Sequence, residues 1–130
     1  MSILSLGTGR LQYSTQPPAP QFVSVPQYVH GCGMRLDRYG RTVELEGRTL
    51  ELSAIEFKLL DALMTKGEGV TARREFLLLV VWKIDGPSLT NVLDVYIRYL
   101  RVKIGAHRIE TVRGTGYRLA VPPGLVRLND

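Results

Sequence analysis

The stretch from Ser88 to Ile104, SLTNVLDVYIRYLRVKI, constrains the chain more than any other, because its apolar residues fit one periodicity only. At about 100° per residue, Leu93, Ile97, Leu100 and Ile104 fall in one narrow stripe, the spacing of a helix laid on a core. The opposite side carries Asn91, Val95, Arg98 and Val102 with Tyr99 beside them, and Arg101 and Lys103 lie on the flanks. Ser88 or Thr90 can serve as N-cap, and Gly105 follows the last periodic residue as a C-cap would. Asp94 and Arg98 stand four residues apart and would pair on an ordinary surface helix, which accounts for the charges without any ligand.

The next stretch shifts that balance. In Arg108 to Val121, RIETVRGTGYRLAV, two short β-type runs flank Arg113-Gly114-Thr115-Gly116, and glycine supplies the positive φ that a tight hairpin turn requires. A hairpin with a basic tip therefore follows a helix with a basic face. Charge follows the same division: from Ser88 onward Arg98, Arg101, Lys103, Arg108, Arg113, Arg118 and Arg127 oppose only Asp94, Glu110 and Asp130, which is +4 of the chain's net +5. Such asymmetry is expected of a domain whose carboxy-terminal half meets a polyanion. A membrane surface fits less well, since the basic helix buries its apolar face in its own core.

These residues resemble the DNA-binding domain of the OmpR/PhoB family of winged-helix response regulators. The resemblance rests on Asn91-Val92-Leu93-Asp94-Val95-Tyr96-Ile97-Arg98-Tyr99-Leu100-Arg101 with Lys103, and on Thr111-Val112-Arg113-Gly114-Thr115-Gly116-Tyr117-Arg118. Upstream it continues through Leu52-Ser53-Ala54-Ile55-Glu56-Phe57-Lys58-Leu59-Leu60 and Trp82, covering about Met34 to Ala120. It implies an α+β fold, a winged helix-turn-helix of three helices with an amino-terminal antiparallel sheet and a carboxy-terminal hairpin wing. It also implies binding of double-stranded DNA, with a recognition helix over about 90–104 in the major groove and a wing over about 108–121 at the minor groove or backbone. By the same resemblance Asn91, Val92, Val95, Tyr96, Arg98, Tyr99, Arg101, Thr111 and Arg113 are the expected DNA contacts. Tandem direct repeats are the expected sites, and self-association on DNA and contact with RNA polymerase are further expectations. Trp82, Leu93, Ile97, Leu100 and Tyr117, joined by Phe57 and Leu60, are assigned to the interior.

Elsewhere the chain is read from its residues. Its 130 residues suit one domain. They divide as an extension over 1–33, partly disordered or adding an edge strand, a winged-helix domain over 34–121 and a tail over 122–130. No run of eighteen apolar residues occurs, and the amino terminus lacks a basic stretch followed by a long apolar segment, so a soluble cytoplasmic protein is expected. Cys32 is the single cysteine, which excludes an internal disulfide, and one cysteine with two histidines cannot complete a four-ligand zinc site. Phosphate loops, His-Glu-x-x-His pairs and G-x-S-x-G elbows are missing from the sequence, so neither catalysis nor a cofactor is expected.

Along the chain, Pro17-Pro18-Ala19-Pro20 reads as tether, Phe22 to Val29 as a weak edge strand interrupted by Pro26, and His30-Gly31-Cys32-Gly33 as a loop. Met34 to Asp37, Arg41 to Glu46 and Arg48 to Leu52 predict an antiparallel meander. The first 33 residues show no βα repeat or acidic cluster, so no receiver is expected there. Ser53 and Glu56 form a capping box opening a first helix that ends near Gly67. Arg74 to Trp82 is the second helix, and it departs from the family pattern at two points. Arg73 stands where a Ser or Thr cap is usual, and Phe76, Leu79 and Val80 leave the helix apolar nearly all round. A helix like that needs a second cover, either the amino-terminal segment or a protein partner. The latter defines the alternative function, an interaction module binding RNA polymerase or another protein through this helix.

Overall fold

The computed structural model describes residues 25–121. Four short strands, β1 (Tyr28–Gly31), β2 (Met34–Asp37), β3 (Thr42–Leu45) and β4 (Arg48–Leu50), form an antiparallel sheet in sequence order. Met34 pairs with Leu45 and Leu36 with Val43, so the period-two alternation of both strands sends these four side chains to one buried face. Two-residue loops close the first and third hairpins, Cys32-Gly33 and Glu46-Gly47, with φ of 53° and 77° and of 50° and 84°. Positive φ at both loop residues is what a type I′ turn demands.

A strand thus precedes the meander expected from Met34; it lies later than the edge strand expected over Phe22 to Val29, and His30 and Gly31 belong to it rather than to a loop. Cys32 holds its left-handed backbone because its N–H donates to Glu68 Oε2 at 2.6 Å and its thiol donates to the Ala120 carbonyl. Burial and the nearby Glu68 carboxylate push that thiol above its ordinary pKa, against an opposing pull from Arg108. The tether expected over Pro17–Pro20, the residues from Phe22 to Ser24 and the tail lie outside the described residues.

Helix α1 spans Ala54–Lys66 and opens with the expected capping box: Glu56 N–H donates to Ser53 Oγ at 3.1 Å and Ser53 N–H donates to Glu56 Oε1 at 2.8 Å. Burial alone would raise the Glu56 carboxyl; the ammonium of Lys103 at 2.7 Å and the Ser53 N–H outweigh it and hold the carboxyl below its usual range. Strand β5 (Ala72–Arg73) leads into α2 (Arg74–Trp82), and α3 spans Val92–Ile104. A 3-10 turn at Ala106–Arg108 then enters β6 (Ile109–Val112) and β7 (Gly116–Leu119), which pair with β5 in the order β5-β7-β6.

Leu59, Leu60 and Leu63 of α1, Leu77 and Leu78 of α2, and Leu93, Ile97, Leu100 and Ile104 of α3 are almost fully buried, together with Leu36, Ile109 and Leu119 from the two sheets. At roughly 1.5–3 kcal/mol per fully buried large aliphatic side chain, the four-residue stripe of α3 is a principal source of the domain's cohesion. The periodic stripe predicted for that helix is the buried one. Trp82 is only half-buried and packs at the rim of the core against Tyr96, with ring centroids 5.5 Å apart, rather than inside it.

The start of α2 has no side-chain cap at Arg73. Its first N–H, that of Arg74, donates to the Thr115 carbonyl at 2.9 Å, so the wing satisfies one of the four N–H groups that the helix itself leaves unpaired. This close seating needs glycine at position 116, where a Cβ would fall 2.0 Å from the Ala72 carbonyl oxygen. Helix α3, unlike α2, begins later than expected. Asn91 occupies the N-cap position without a side-chain bond, while Thr90 Oγ1 accepts from Val92 N–H and Ser88 Oγ accepts from Thr90 N–H, each at 3.2 Å.

Candidate nucleic-acid interface

Two elements project from one edge of the domain: the outer side of α3 and the tip of the β6–β7 hairpin. On α3, Asn91, Arg98, Tyr99 and Val102 are exposed and Val92, Val95 and Tyr96 are half-buried. At the hairpin tip, the Thr115 N–H donates to the Val112 carbonyl at 2.9 Å, and Gly114 at the third position has a φ of 76°, the turn chemistry of type II. Arg113 is thereby placed on an open tip, with Gly114 free of any neighbour within 4 Å of a Cβ.

The helix and the hairpin are joined by two sets of bonds. In the first, the Asp94 carboxylate accepts from Tyr117 Oη at 2.5 Å and pairs with Arg74 at 3.2 Å, and Arg74 also donates to the Thr90 carbonyl. Three elements, α2, α3 and β7, meet at this one carboxylate. Burial, together with the hydrogen bond and charge of Asp94, pushes the Tyr117 hydroxyl up to about 12. In the second set, Arg101 donates through Nε and Nη2 to the Ile109 carbonyl at 3.1 and 2.7 Å, and through Nη2 to Thr111 Oγ1 at 2.9 Å. Its guanidinium also lies 5.7 Å from the Tyr117 ring centroid.

These bonds revise one part of the sequence reading and bear on another. Asp94 does not pair with Arg98 four residues on; its partners are 20 and 23 residues away, on other elements. Arg101 and Thr111, both expected contacts, are bonded to each other across the seam between helix and wing.

The basic half of the chain is also less open than its composition implies. Lys103 is paired with Glu56, Arg108 with Glu46 and Arg118 with Glu110, each at 2.7 Å. Arg98 and Arg113 are exposed, and none of the ion pairs among the described residues includes either of them. Val102, which the helical wheel placed on the outer face but which lay outside the expected contact set, is 82% exposed.

Other surfaces offer less chemistry. Hollows of about 550 and 350 Å³ flank the Cys32-Gly33 turn, lined by side chains including His30, Glu68, Glu46, His107 and Arg108. Among the described residues, no three His, Cys, Asp or Glu side chains are grouped so as to hold a metal ion. None of the described helices is long and apolar enough to cross a membrane. On α2, Leu79 and Val80 are 43% and 37% exposed, and Phe76 is half-buried beneath the Lys66 ammonium at 4.3 Å.

Comparison with known proteins identifies this arrangement. TrcR of Mycobacterium tuberculosis, a transcriptional regulatory protein, is 41% identical over 92 residues, covering 68% of this chain and 35% of the relative. The chain thus spans about a third of that protein's length. The DNA-binding domain of CpxR from E. coli superposes with a TM-score of 0.66 at 27% identity, over 72% of this chain and 96% of that one. The Klebsiella pneumoniae RstA DNA-binding domain, solved in complex with the RstA box, superposes with a TM-score of 0.65 at 28% identity, over 73% and 98% of the two chains. The family described as "Transcriptional regulatory protein, C terminal" matches residues 47–119. The chain therefore belongs to that family, the OmpR/PhoB-type winged-helix effector domains of response regulators, whose members are DNA-binding transcription regulators and not enzymes.

Proposed function

We propose that the chain is a sequence-specific regulator of transcription that acts in the cytoplasm, laying α3 in the major groove of double-stranded DNA and setting the wing tip at the adjacent minor groove or its phosphates. The observation that carries this reading is the pair of exposed arginines, Arg98 and Arg113, that no acidic side chain among the described residues neutralises. They stand on two elements whose separation is fixed by Asp94 and Arg101. Asn91, Val92, Val95, Tyr96 and Tyr99 complete the groove face, with Arg98 suited to bidentate hydrogen bonds to guanine. Arg113 suits a narrow A·T-rich minor groove, where negative potential concentrates. Arg101 and Thr111 serve the interface from the seam, holding the wing at its distance and leaving the Thr111 hydroxyl close to the backbone.

Tandem direct repeats are the proposed sites, with neighbouring copies touching through exposed Leu79 and Val80 of α2. A second reading, an interaction module binding RNA polymerase or another protein through α2, is favoured by the same exposed Leu79 and Val80.

Salt dependence tests the main reading. Binding to a site selected from random oligonucleotides should weaken along a straight line of log K against log salt, and Arg113→Ala should make that line shallower by about one phosphate contact. Affinity that does not respond to salt would instead assign the fold to a protein partner.

A further inference from the structure

The outer face of α3 is not uniformly cationic. Its midline, directly opposite the buried stripe, is apolar: Val95 and Val102 lie two turns apart on it, with Tyr99 beside them, while Arg98 and Asn91 stand to one side. Val102 is 82% exposed and Tyr99 is 45% exposed. Tyr99 is also held in place. Its ring meets Tyr96 edge-on at 5.2 Å and 76°, and Tyr96 in turn leans on Trp82 at 5.5 Å, so an aromatic ladder runs from the end of α2 to the outer face of α3. A ring fixed in this way gives contact area with little further loss of conformational freedom.

A valine gains nothing from a phosphate, for it neither donates nor accepts a hydrogen bond. It gains only by leaving water against another apolar group, and the floor of the major groove in unmodified DNA presents one such group, the 5-methyl of thymine. Resting on the DNA-binding reading above, we propose that Val102 and the ladder-held Tyr99 are specificity-determining residues that read thymine methyls, beside the hydrogen bonds supplied by Arg98. The operator then carries thymines at positions the helix midline faces, and their methyl groups, rather than their hydrogen-bonding edges, are what is recognised.

Replacing each thymine of the selected site in turn by deoxyuridine removes the methyl and nothing else. At one or two positions the wild-type chain should lose about fourfold in affinity, the equivalent of ~0.8 kcal/mol for one buried carbon. Val102→Ala and Tyr99→Ala should each abolish the thymine-over-uracil preference at one position, whereas Tyr99→Phe, which keeps the ring, should retain it. Both side chains are exposed enough for these variants to fold as the parent does. Tight, salt-sensitive binding in which no deoxyuridine costs as much as twofold overturns the methyl readout and leaves the DNA reading standing. Failure of any oligonucleotide to be enriched overturns both.

Discussion

The wing-facing and solvent-facing sides of α3 use the same residue types to opposite ends. On the side facing the wing, Arg74 and Tyr117 are bonded to Asp94, and Arg101 to Thr111 and the Ile109 carbonyl. On the solvent-facing side, Arg98, Tyr99 and Val102 are exposed, and Arg113 is exposed on the wing tip. An arginine whose donors are already taken works as a strut; one whose donors are open is available to something outside the protein. Charge counting along the sequence cannot separate the two, because the difference lies in which acid or carbonyl the fold brings near.

The largest test of this contrast strikes the buried stripe. Ile97→Ala leaves a cavity beneath both sides at once and should cost ~2–5 kcal/mol of stability, with DNA binding lost only as folding is lost. An unchanged melting temperature would mean that the helix presents its other face to the core. Arg98→Ala should do the reverse. Its melting should stay within about 0.5 kcal/mol of the parent, while discrimination at one base pair falls by ~1–3 kcal/mol. Equal affinity of parent and variant for the selected site would remove Arg98 from the groove.

The smallest effect belongs to Tyr117→Phe, which deletes the hydroxyl from the seam but leaves Asp94 its bond to Arg74. A cost of about 0.5–1.5 kcal/mol is expected near neutral pH. Since the folded-state value is raised from 10.0 to about 12, the hydroxyl's contribution is complete below pH 10 and is lost as pH rises from there toward 12. Wild type should thus lose stability over that alkaline window faster than the variant, measured by denaturant midpoints at a series of pH values. Parallel curves would show that Tyr117 is not held to Asp94.

What could be read from the sequence was local and periodic: the stripe of α3, the glycine-bearing turn of the wing, and the Ser53–Glu56 box. Each depends on residues within a few positions of one another. Misread or invisible were features set by distant partners. Asp94 has Arg98 at helical spacing but finds Arg74 and Tyr117, whose approach depends on how β5 is seated on β7. At the uncapped start of α2, the N–H of Arg74 is met by the Thr115 carbonyl, 41 positions away in sequence and adjacent in space. Strand β1 was expected as an edge strand but placed too early, for a related reason. Four residues ending in Gly31 carry little pattern, and their pairing with β2 depends on a turn that Cys32 can adopt only with Glu68 beside it.

That last contact gives the domain a built-in clock. The chain has one thiol, 6% exposed, donating to the carbonyl of Ala120 just beyond the wing's last strand. Parting of the contact between Cys32 and Ala120 exposes this thiol to a reagent. Its labelling rate therefore responds to those openings. Trp82, the single indole, sits at the junction of α2 and α3. Two regions of one small domain can thus be timed independently in the unaltered protein, one by a covalent bond and one by light.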